Sequence, residues 1–354
     1  MTLSELGWGH FFEEQIEAHE TACMPARVYR QDINQYHLIS DNGIFQGILP
    51  GRLRHAAYSK ADLPTVGDWV LTSPIAGGEA HTLQIERRLE RKSRFSRQEA
   101  GEIVDEQVVA ANIDVIFIVA GLDGDFNPRR IERYLLLTQD SGARPIILLN
   151  KVDICVDHQM YIAELAPVVK NTPYHLISAK EDNELKEIHQ YINAGSTCAL
   201  IGSSGVGKST IVNALLGQYR FATGTVRRQD NRGRHTTTFK ELVQLPQGGL
   251  IIDTPGMREL KIWTDRDSLK RNFDDIFALA VNCKFSDCLH VNEPNCAVVQ
   301  AIDEGRLELS RLENYKKLEK EVSSLDAQEE ASIRTEKKMA RRKLTKVEKS
   351  QFKG

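Results

Sequence analysis

The sequence predicts a multidomain α/β chain: a small all-β domain, a doubly wound parallel sheet, and a short helical domain carrying metal ligands. Three observations predict it. Short strand-like runs separated by turn signals fill residues 26–98, and buried-strand runs alternate with helical stretches from residue 113 to residue 252. Three cysteines and a histidine then lie within fourteen residues, Cys283 to Cys296. A chain of 354 residues has room for two or three domains and a core that needs no disulfides.

Met1 to Glu20 reads as a short amphipathic helix with Phe11, Phe12 and Ile16 on one side. It lacks the basic-then-apolar pattern of a signal peptide, and no apolar run of about 18 residues offers a membrane span. The chain is therefore expected to be cytoplasmic and away from membranes. From Ala26, five strand-like runs follow: Arg27–Arg30, Tyr36–Ile39, Gly43–Leu49, Asp68–Leu71 and Thr82–Ile85. Asp41-Asn42-Gly43, Leu49-Pro50-Gly51 and Gly77-Gly78 punctuate them. Five short strands at this spacing predict a small β-barrel, of which the N-terminal OB-fold, a common binder of oligonucleotides, is the expected type. Arg52, Arg54, Lys60, Arg87, Arg88, Arg91, Lys92, Arg94 and Arg97 make it basic, and Phe95 lies among those cations where it would suit stacking on a base.

Next come the strand runs Ile113–Ala120, Pro145–Leu149, Tyr174–Ile177 and Thr197–Ile201, with helices expected at about 130–137, 161–169 and 184–191. Phe239–Leu245 and Gly249–Ile252 read as a hairpin across Pro246-Gln247-Gly248. In such a sheet, ligands bind at the carboxyl ends of the strands, and every motif here sits at one. Gly202-Ser203-Ser204-Gly205-Val206-Gly207-Lys208-Ser209-Thr210 fits G-x-x-x-x-G-K-[ST], between a strand and the helix Ile211–Leu216. Its glycines let backbone N–H groups curl around phosphate, Lys208 would reach the β- and γ-phosphates, and Ser209 would ligate Mg²⁺.

Asn150-Lys151-Val152-Asp153 fits N-K-x-D and Ser178-Ala179-Lys180 fits S-A-K. Asp153 can accept two hydrogen bonds from guanine N1–H and N2–H₂, a donor pair that adenine lacks. Asn150 would brace the loop, Lys151 would lie along the base, and the Ala179 N–H can donate to O6. Asp253-Thr254-Pro255-Gly256 fits D-x-x-G: Asp253 would hold Mg²⁺ through water, and Gly256 would sense the γ-phosphate. The intervening Arg232–Thr238 is a polar loop in which one threonine should complete the Mg²⁺ site, Thr237 or Thr238 by position, with Thr237 taken as the ligand. After Gly256 comes Met257, which cannot orient a water as a glutamine would, so His235 is the internal candidate for that task beside Lys208 and Thr237.

The order of these motifs is permuted. Regular GTPases begin with the phosphate loop and end with N-K-x-D and S-A-K; here the last two come first. Joined termini and a loop opened elsewhere leave such a sheet intact, giving a circularly permuted P-loop GTPase domain for GTP and GDP.

Beyond it, Cys283, Cys288, His290 and Cys296 supply three thiolates and one imidazole, a closed tetrahedral set for one structural Zn²⁺. Asp265–Ala280 and Ala297–Leu325 read as flanking helices. Residues 334–353 carry nine Lys/Arg against two Glu, a net +7, which leaves −10 on the rest of a chain whose total is −3. A basic tail on an acidic body suits a polyanionic partner. The expected divisions are an extension at 1–25, the OB-fold RNA-binding domain at 26–105, the GTPase domain at 106–262, the helical zinc-binding domain at 263–333 and the tail at 334–354.

Together these residues resemble the circularly permuted, small-subunit-dependent GTPases of the RsgA (YjeQ, YloQ) family. The resemblance rests on the barrel, the permuted motifs at 150–153, 178–180, 202–210, 233–238 and 253–256, and the Cys283/Cys288/His290/Cys296 set. It implies binding to the small ribosomal subunit and its rRNA, a role in late maturation of that subunit, GTP hydrolysis stimulated by it, and a cytoplasmic monomer. Met257 matches the family's hydrophobic residue at that position. An RNA chaperone with GTP as a structural ligand, and a permuted GTPase serving another partner, are the alternatives.

Overall fold

The computed structural model describes residues 1–32, 35–98, 106–169, 171–180, 185–217, 240–253, 263–291 and 293–327. Two compact units emerge: residues 1–97 with 107–260, and residues 98–106 with 261–354.

The first unit opens with a correction. The N-terminal residues form two separate turns, the α-helix α1 (His10–Glu13) and a 3-10 turn at Ala18–Glu20, instead of one helix. Their aromatic residues do not make a helical stripe: Phe12 is buried, Phe11 is exposed, and Trp8 packs on both Phe12 and Trp69 with centroids 5.6 and 4.8 Å away. Gly7 and Gly9 interrupt the run, and the chain lies instead as a strap whose apolar side chains surround Trp69.

All five predicted barrel strands form: β1 (Met24–Gln31), β2 (Tyr36–Ser40), β3 (Gly43–Ile48), β4 (Trp69–Pro74) and β5 (Thr82–Arg88). They run β1-β2-β3-β5-β4 and close through β1–β4 pairing, with the helix α2 (Gly51–Ala56) between β3 and β4: an OB-fold barrel. Alternation puts Ala26, Val28, Leu38, Val70 and Ile85 inside.

One strand ties the barrel to the parallel sheet. β1 gives one edge to β2 and divides the other, pairing Met24–Arg27 with β4 and Arg30 with Glu241 of β12 (Glu241–Gln244). A register shift between Val28 and Arg30 marks the bend where it changes partner. The result is one eleven-stranded sheet, β10-β9-β8-β11-β13-β12-β1-β2-β3-β5-β4. Arg27, wholly buried at this junction, donates to the carbonyls of Leu6 (2.5 Å), Gly67 (3.1 Å) and Asn112 (3.1 Å). Burial pushes its guanidinium down to about 10, against the pull of Asp114 and Asp68, so it stays charged at neutral pH.

The cations after the barrel correct a second expectation. In β6 (Arg94–Gln98), which pairs with β7 (Glu106–Ala111), Phe95 is buried and cannot stack on a base. Arg91 makes a two-pronged pair with the buried Asp68 at 2.8 and 2.7 Å, and Arg87 does the same with Glu20 at 2.7 and 2.6 Å. Arg88 and Arg97 also have internal partners. Arg87 and Arg91 thus direct their charge at carboxylates of the chain itself, while Lys92 and Arg94 stay exposed.

The nucleotide-binding half alternates as expected: β8 (Val115–Gly121), α3 (Pro128–Ser141), β9 (Arg144–Asn150), α4 (His158–Val169), β10 (Tyr174–Ile177), α5 (Lys186–His189), β11 (Thr197–Ile201), α6 (Lys208–Leu216), β12 and β13 (Leu250–Asp253). β8 to β11 are mutually parallel and β13 joins β11 in parallel, while β12 and β13 form the predicted antiparallel hairpin. All seven residues of β8 and all five of β11 are buried, which is why both read as unbroken apolar runs. α3 starts at an Asn127 side chain that accepts the Arg130 N–H, with Pro128 at its first position.

In the second unit, both predicted helices are broken. Asp265–Ala280 divides at Phe273 into α7 (Arg266–Asn272) and α8 (Asp274–Ala280), because the Phe273 ring is buried against Tyr315. The stretch after Cys296 divides into α9 (Ala297–Asp303) and a last helix from residue 309 onward, interrupted around Gly305. Among the described residues, no helix is long and apolar enough to cross a membrane.

Candidate nucleotide site and metal-ligating cluster

β8, β9, β10 and β11 all end at one edge of the sheet, and the predicted motifs are the loops that leave them. The phosphate loop follows β11. Val206 is buried and anchors it, while Ser204, Gly205 and Ser209 are exposed at its mouth. Gly207 has φ 102°, and a Cβ there would lie 2.2 Å from Asn150 Nδ2, so a side chain is excluded by conformation and by contact. Lys208 begins α6 and folds its ammonium over the loop, donating to the carbonyls of Gly202 (2.7 Å) and Ser203 (2.6 Å). Those oxygens accept its hydrogen bonds where a polyphosphate would.

Asn150 ties the three loops together. Its Nδ2 donates to Val206 O at 2.7 Å, and its Oδ1 accepts the Ala179 N–H at 2.9 Å. The brace expected of Asn150 is thus present. The Ala179 N–H, expected to face guanine O6, points at Asn150 in this arrangement. Asp153 accepts from Ser178 Oγ (3.0 Å) and pairs with Lys180 Nζ (3.3 Å). Burial works to raise its carboxyl, but the Ser178 and Lys180 hydrogen bonds outweigh that and hold it below the usual carboxylate range. An ionised carboxylate is what the guanine N1–H and N2–H₂ edge requires.

Lys151 sits at φ 76°, a left-handed conformation that costs a lysine about 1–2 kcal/mol. Its ammonium reaches Asp123 Oδ2 at 2.5 Å rather than Asp153. Asp123 and Asp125, in the loop after β8, are site residues that the motifs did not reveal. Asp125 accepts the Ser203 hydroxyl at 2.5 Å and pairs with Arg130 at 3.0 Å. The available signal was positional: any loop at the carboxyl end of a parallel strand lies over the ligand edge.

Asp253 closes β13. His235, Thr236, Thr237, Thr238, Gly256 and Met257, with the basic tail, lie outside the described residues.

In the second unit, Cys283, Cys288, His290 and Cys296 converge so that their four ligand atoms lie within 4.8 Å of one another. Cys283 Sγ is 3.6 Å from His290 Nδ1 and 3.9 Å from Cys296 Sγ, and His290 Nδ1 is 3.4 Å from Cys296 Sγ. The sulfurs are far too distant for a disulfide. His290 (φ 55°) and Asn295 (φ 60°) turn the chain sharply around the cluster, and Lys316 donates to His290 O at 2.7 Å. Three soft thiolates and one imidazole around a common centre can hold a metal ion.

Comparison with known proteins shows the family of the chain. Residues 88–263 match the family model described as RsgA GTPase. A second model, described as 50S ribosome-binding GTPase, matches residues 197–336, starting at the phosphate-loop strand and leaving out the N-K-x-D and S-A-K motifs that precede it in this chain. The chain is 41% identical over 329 residues to the small ribosomal subunit biogenesis GTPase RsgA of Opitutus terrae, covering 91% of this chain and 90% of that one. It is 39% identical over 350 residues to RsgA 1 of Oceanobacillus iheyensis, covering 99% of each. YjeQ from Thermotoga maritima superposes with a TM-score of 0.61 at 26% identity, over 85% of this chain and 98% of that one. YloQ, a circularly permuted GTPase, gives 0.58 at 22% identity over 87% and 98%, a likeness of fold.

Proposed function

The chain belongs to the RsgA GTPase family, and on that premise we propose that it is the GTP-hydrolysing switch of small ribosomal subunit biogenesis in its cell. The observation that carries the reading is Asn150: one side chain bonds both the phosphate loop and the S-A-K loop, with the motifs in permuted order. That is the wiring of a guanine site, and it makes base recognition and phosphate binding one event.

The steps follow from the residues. Asp153 accepts from guanine N1–H and N2–H₂; adenine would leave that carboxylate unpaired, a penalty that favours guanine strongly. The N–H groups of the phosphate loop and the head of α6 take the phosphates. Lys208 leaves its carbonyl partners for the β- and γ-phosphate oxygens. Ser209, Asp253 and Thr237 would hold Mg²⁺, which when bound neutralises charge developing on the transferred phosphoryl group. His235 orients and accepts a proton from the attacking water, because Met257 cannot.

In the C-terminal cluster we assign the ion as one structural zinc. A tetrahedron with Zn–S of about 2.3 Å and Zn–N of about 2.0 Å has edges of about 3.8 Å between sulfurs and about 3.5 Å from sulfur to nitrogen. The separations of 3.9, 3.6 and 3.4 Å fit those edges. The barrel and this knuckle are proposed to contact rRNA, so binding should weaken with salt.

The test is steady-state GTP hydrolysis with and without purified small ribosomal subunits, at low and high salt. A slow basal rate raised many-fold by subunits, and lost at high salt or in His235→Ala with GDP affinity kept, is expected. A rate indifferent to subunits would remove the ribosomal switch and leave a guanine-nucleotide binder acting on RNA by itself.

A further inference from the structure

Resting on the guanine-nucleotide reading, we infer that Asp123 and Asp125 are paired positioning residues of the site, Asp123 acting on the base side through Lys151 and Asp125 on the phosphate side through Ser203. The strand order places them. β8 lies between β9 and β11, parallel to both. The loop that leaves its carboxyl end therefore stands between the N-K-x-D loop and the phosphate loop, and it touches each. The Leu122 N–H donates to Asn150 O at 2.8 Å, fixing the loop to the end of β9.

Within the loop the two carboxylates face different ways. Asp123 Oδ2 takes the Lys151 ammonium at 2.5 Å, while its Oδ1 accepts the Asp125 N–H at 3.0 Å. Asp125 Oδ2 takes the Ser203 hydroxyl at 2.5 Å, while its Oδ1 lies 3.0 Å from Arg130. Asn127 then caps α3, so the acidic turn is held from both ends. The Asp125 N–H to Asp123 carboxylate bond joins the two halves of the turn, and each half supports one side chain of the candidate nucleotide site.

The chemistry suits these roles. A lysine that is to lie along a purine must keep its ammonium beyond the ring, and a carboxylate at that point directs the stem. Lys151 is in a left-handed conformation that its side chain does not favour, so an external partner is needed to fix its direction. On the other side, an anion near a phosphate loop would repel the ligand, and Arg130 offsets the charge of Asp125 while the carboxylate accepts the Ser203 hydroxyl. Neither carboxylate touches the nucleotide; each works through its neighbour.

Double-mutant cycles on the full chain test this, reading GDP dissociation constants by fluorescence of a labelled GDP. Asp123→Asn should weaken GDP about tenfold in the native background and less than twofold when Lys151 is already alanine. Asp125→Asn should shift GDP affinity in the native background and have no further effect in Ser203→Ala. Crossing the pairs, Asp123→Asn with Ser203→Ala, should be additive. Equal losses of Asp123→Asn in both Lys151 backgrounds, or no loss at all, would overturn the base-side role; the same pattern with Ser203 would overturn the phosphate-side role. Thermal midpoints of every variant separate lost folding from lost positioning. A native chain that fails to bind GDP would instead overturn the guanine-nucleotide reading on which this rests.

Discussion

Asn150 holds two loops with one amide, and its removal should be felt twice. Asn150→Ala leaves Val206 O and the Ala179 N–H without their partner, both inside the protein, at roughly 1–3 kcal/mol each. GDP affinity should fall roughly a hundredfold, at 1.4 kcal/mol per decade, and calorimetric binding would detect it; a change below threefold would contradict the brace. Asp153 makes the complementary prediction about pH. Its carboxyl is held below the ordinary range, so the stability it gives is present above the unfolded value of about 3.9 and is lost as pH falls through the lower, folded value. The contribution of Asp153 to GDP binding, read as the affinity ratio of the native chain to Asp153→Asn, should therefore be flat from about pH 8 to about pH 5 and fail only in acid, because titration of the terminal phosphate of GDP near pH 6 cancels in the ratio; a ratio already falling near pH 6 would show another group in control. Asn150 and Asp153 were legible because their types and spacing fit N-K-x-D at the end of a strand. Asp123 and Asp125 were not: Asp123-Gly124-Asp125 has the composition of any turn, and only the neighbouring strands give it meaning. Phe95 misled for the same reason, since an aromatic residue among cations reads alike whether it faces water or the interior.

Among the elements, β1 is the one whose neighbours the sequence hid most completely. Its strand pattern is plain, and so is the barrel that it closes. Its pairing with β12, however, joins Arg30 to Glu241, 211 positions apart, and no local pattern encodes such a distance. The long helices expected at 265–280 and 297–325 failed for a related reason: apolar residues recur at helical spacing there, but burial of Phe273 and the turn at Gly305 divide them. At the barrel junction, Gly67 (φ 93°) passes so close to the end of β7 that a Cβ would sit 2.1 Å from Ala111 O. Gly67→Ala should cost at least about 2 kcal/mol, by strain and by contact. Gly51→Ala, at the head of α2 with open space around it, should be neutral or slightly stabilising. Urea unfolding of the two variants gives the comparison, and equal midpoints would refute the tight junction.

At the scale of the whole molecule, the metal cluster and the nucleotide loops belong to different compact units. Removing the metal should therefore act on one alone. A strong chelator is expected to release the proposed metal, about one ion per chain, and expose 283–296 to protease, because a segment of this size has no core of its own without an ion. GDP affinity should stay within twofold; a parallel collapse of nucleotide binding would mean that the units fold as one. The order of strands has a last consequence, in time rather than in space. During synthesis, β8, β9 and β10 leave the translating ribosome as one contiguous piece able to pair with itself, so the edge that carries the N-K-x-D and S-A-K loops can form first. The phosphate loop arrives only with β11, and the strand that ends in Asp253 later still. A chain in regular motif order would meet phosphate first and the base last. In this chain the base-side motifs are made before the phosphate loop, and β1, paired early with β2 and β4, gains its contact at Arg30 only when β12 is made.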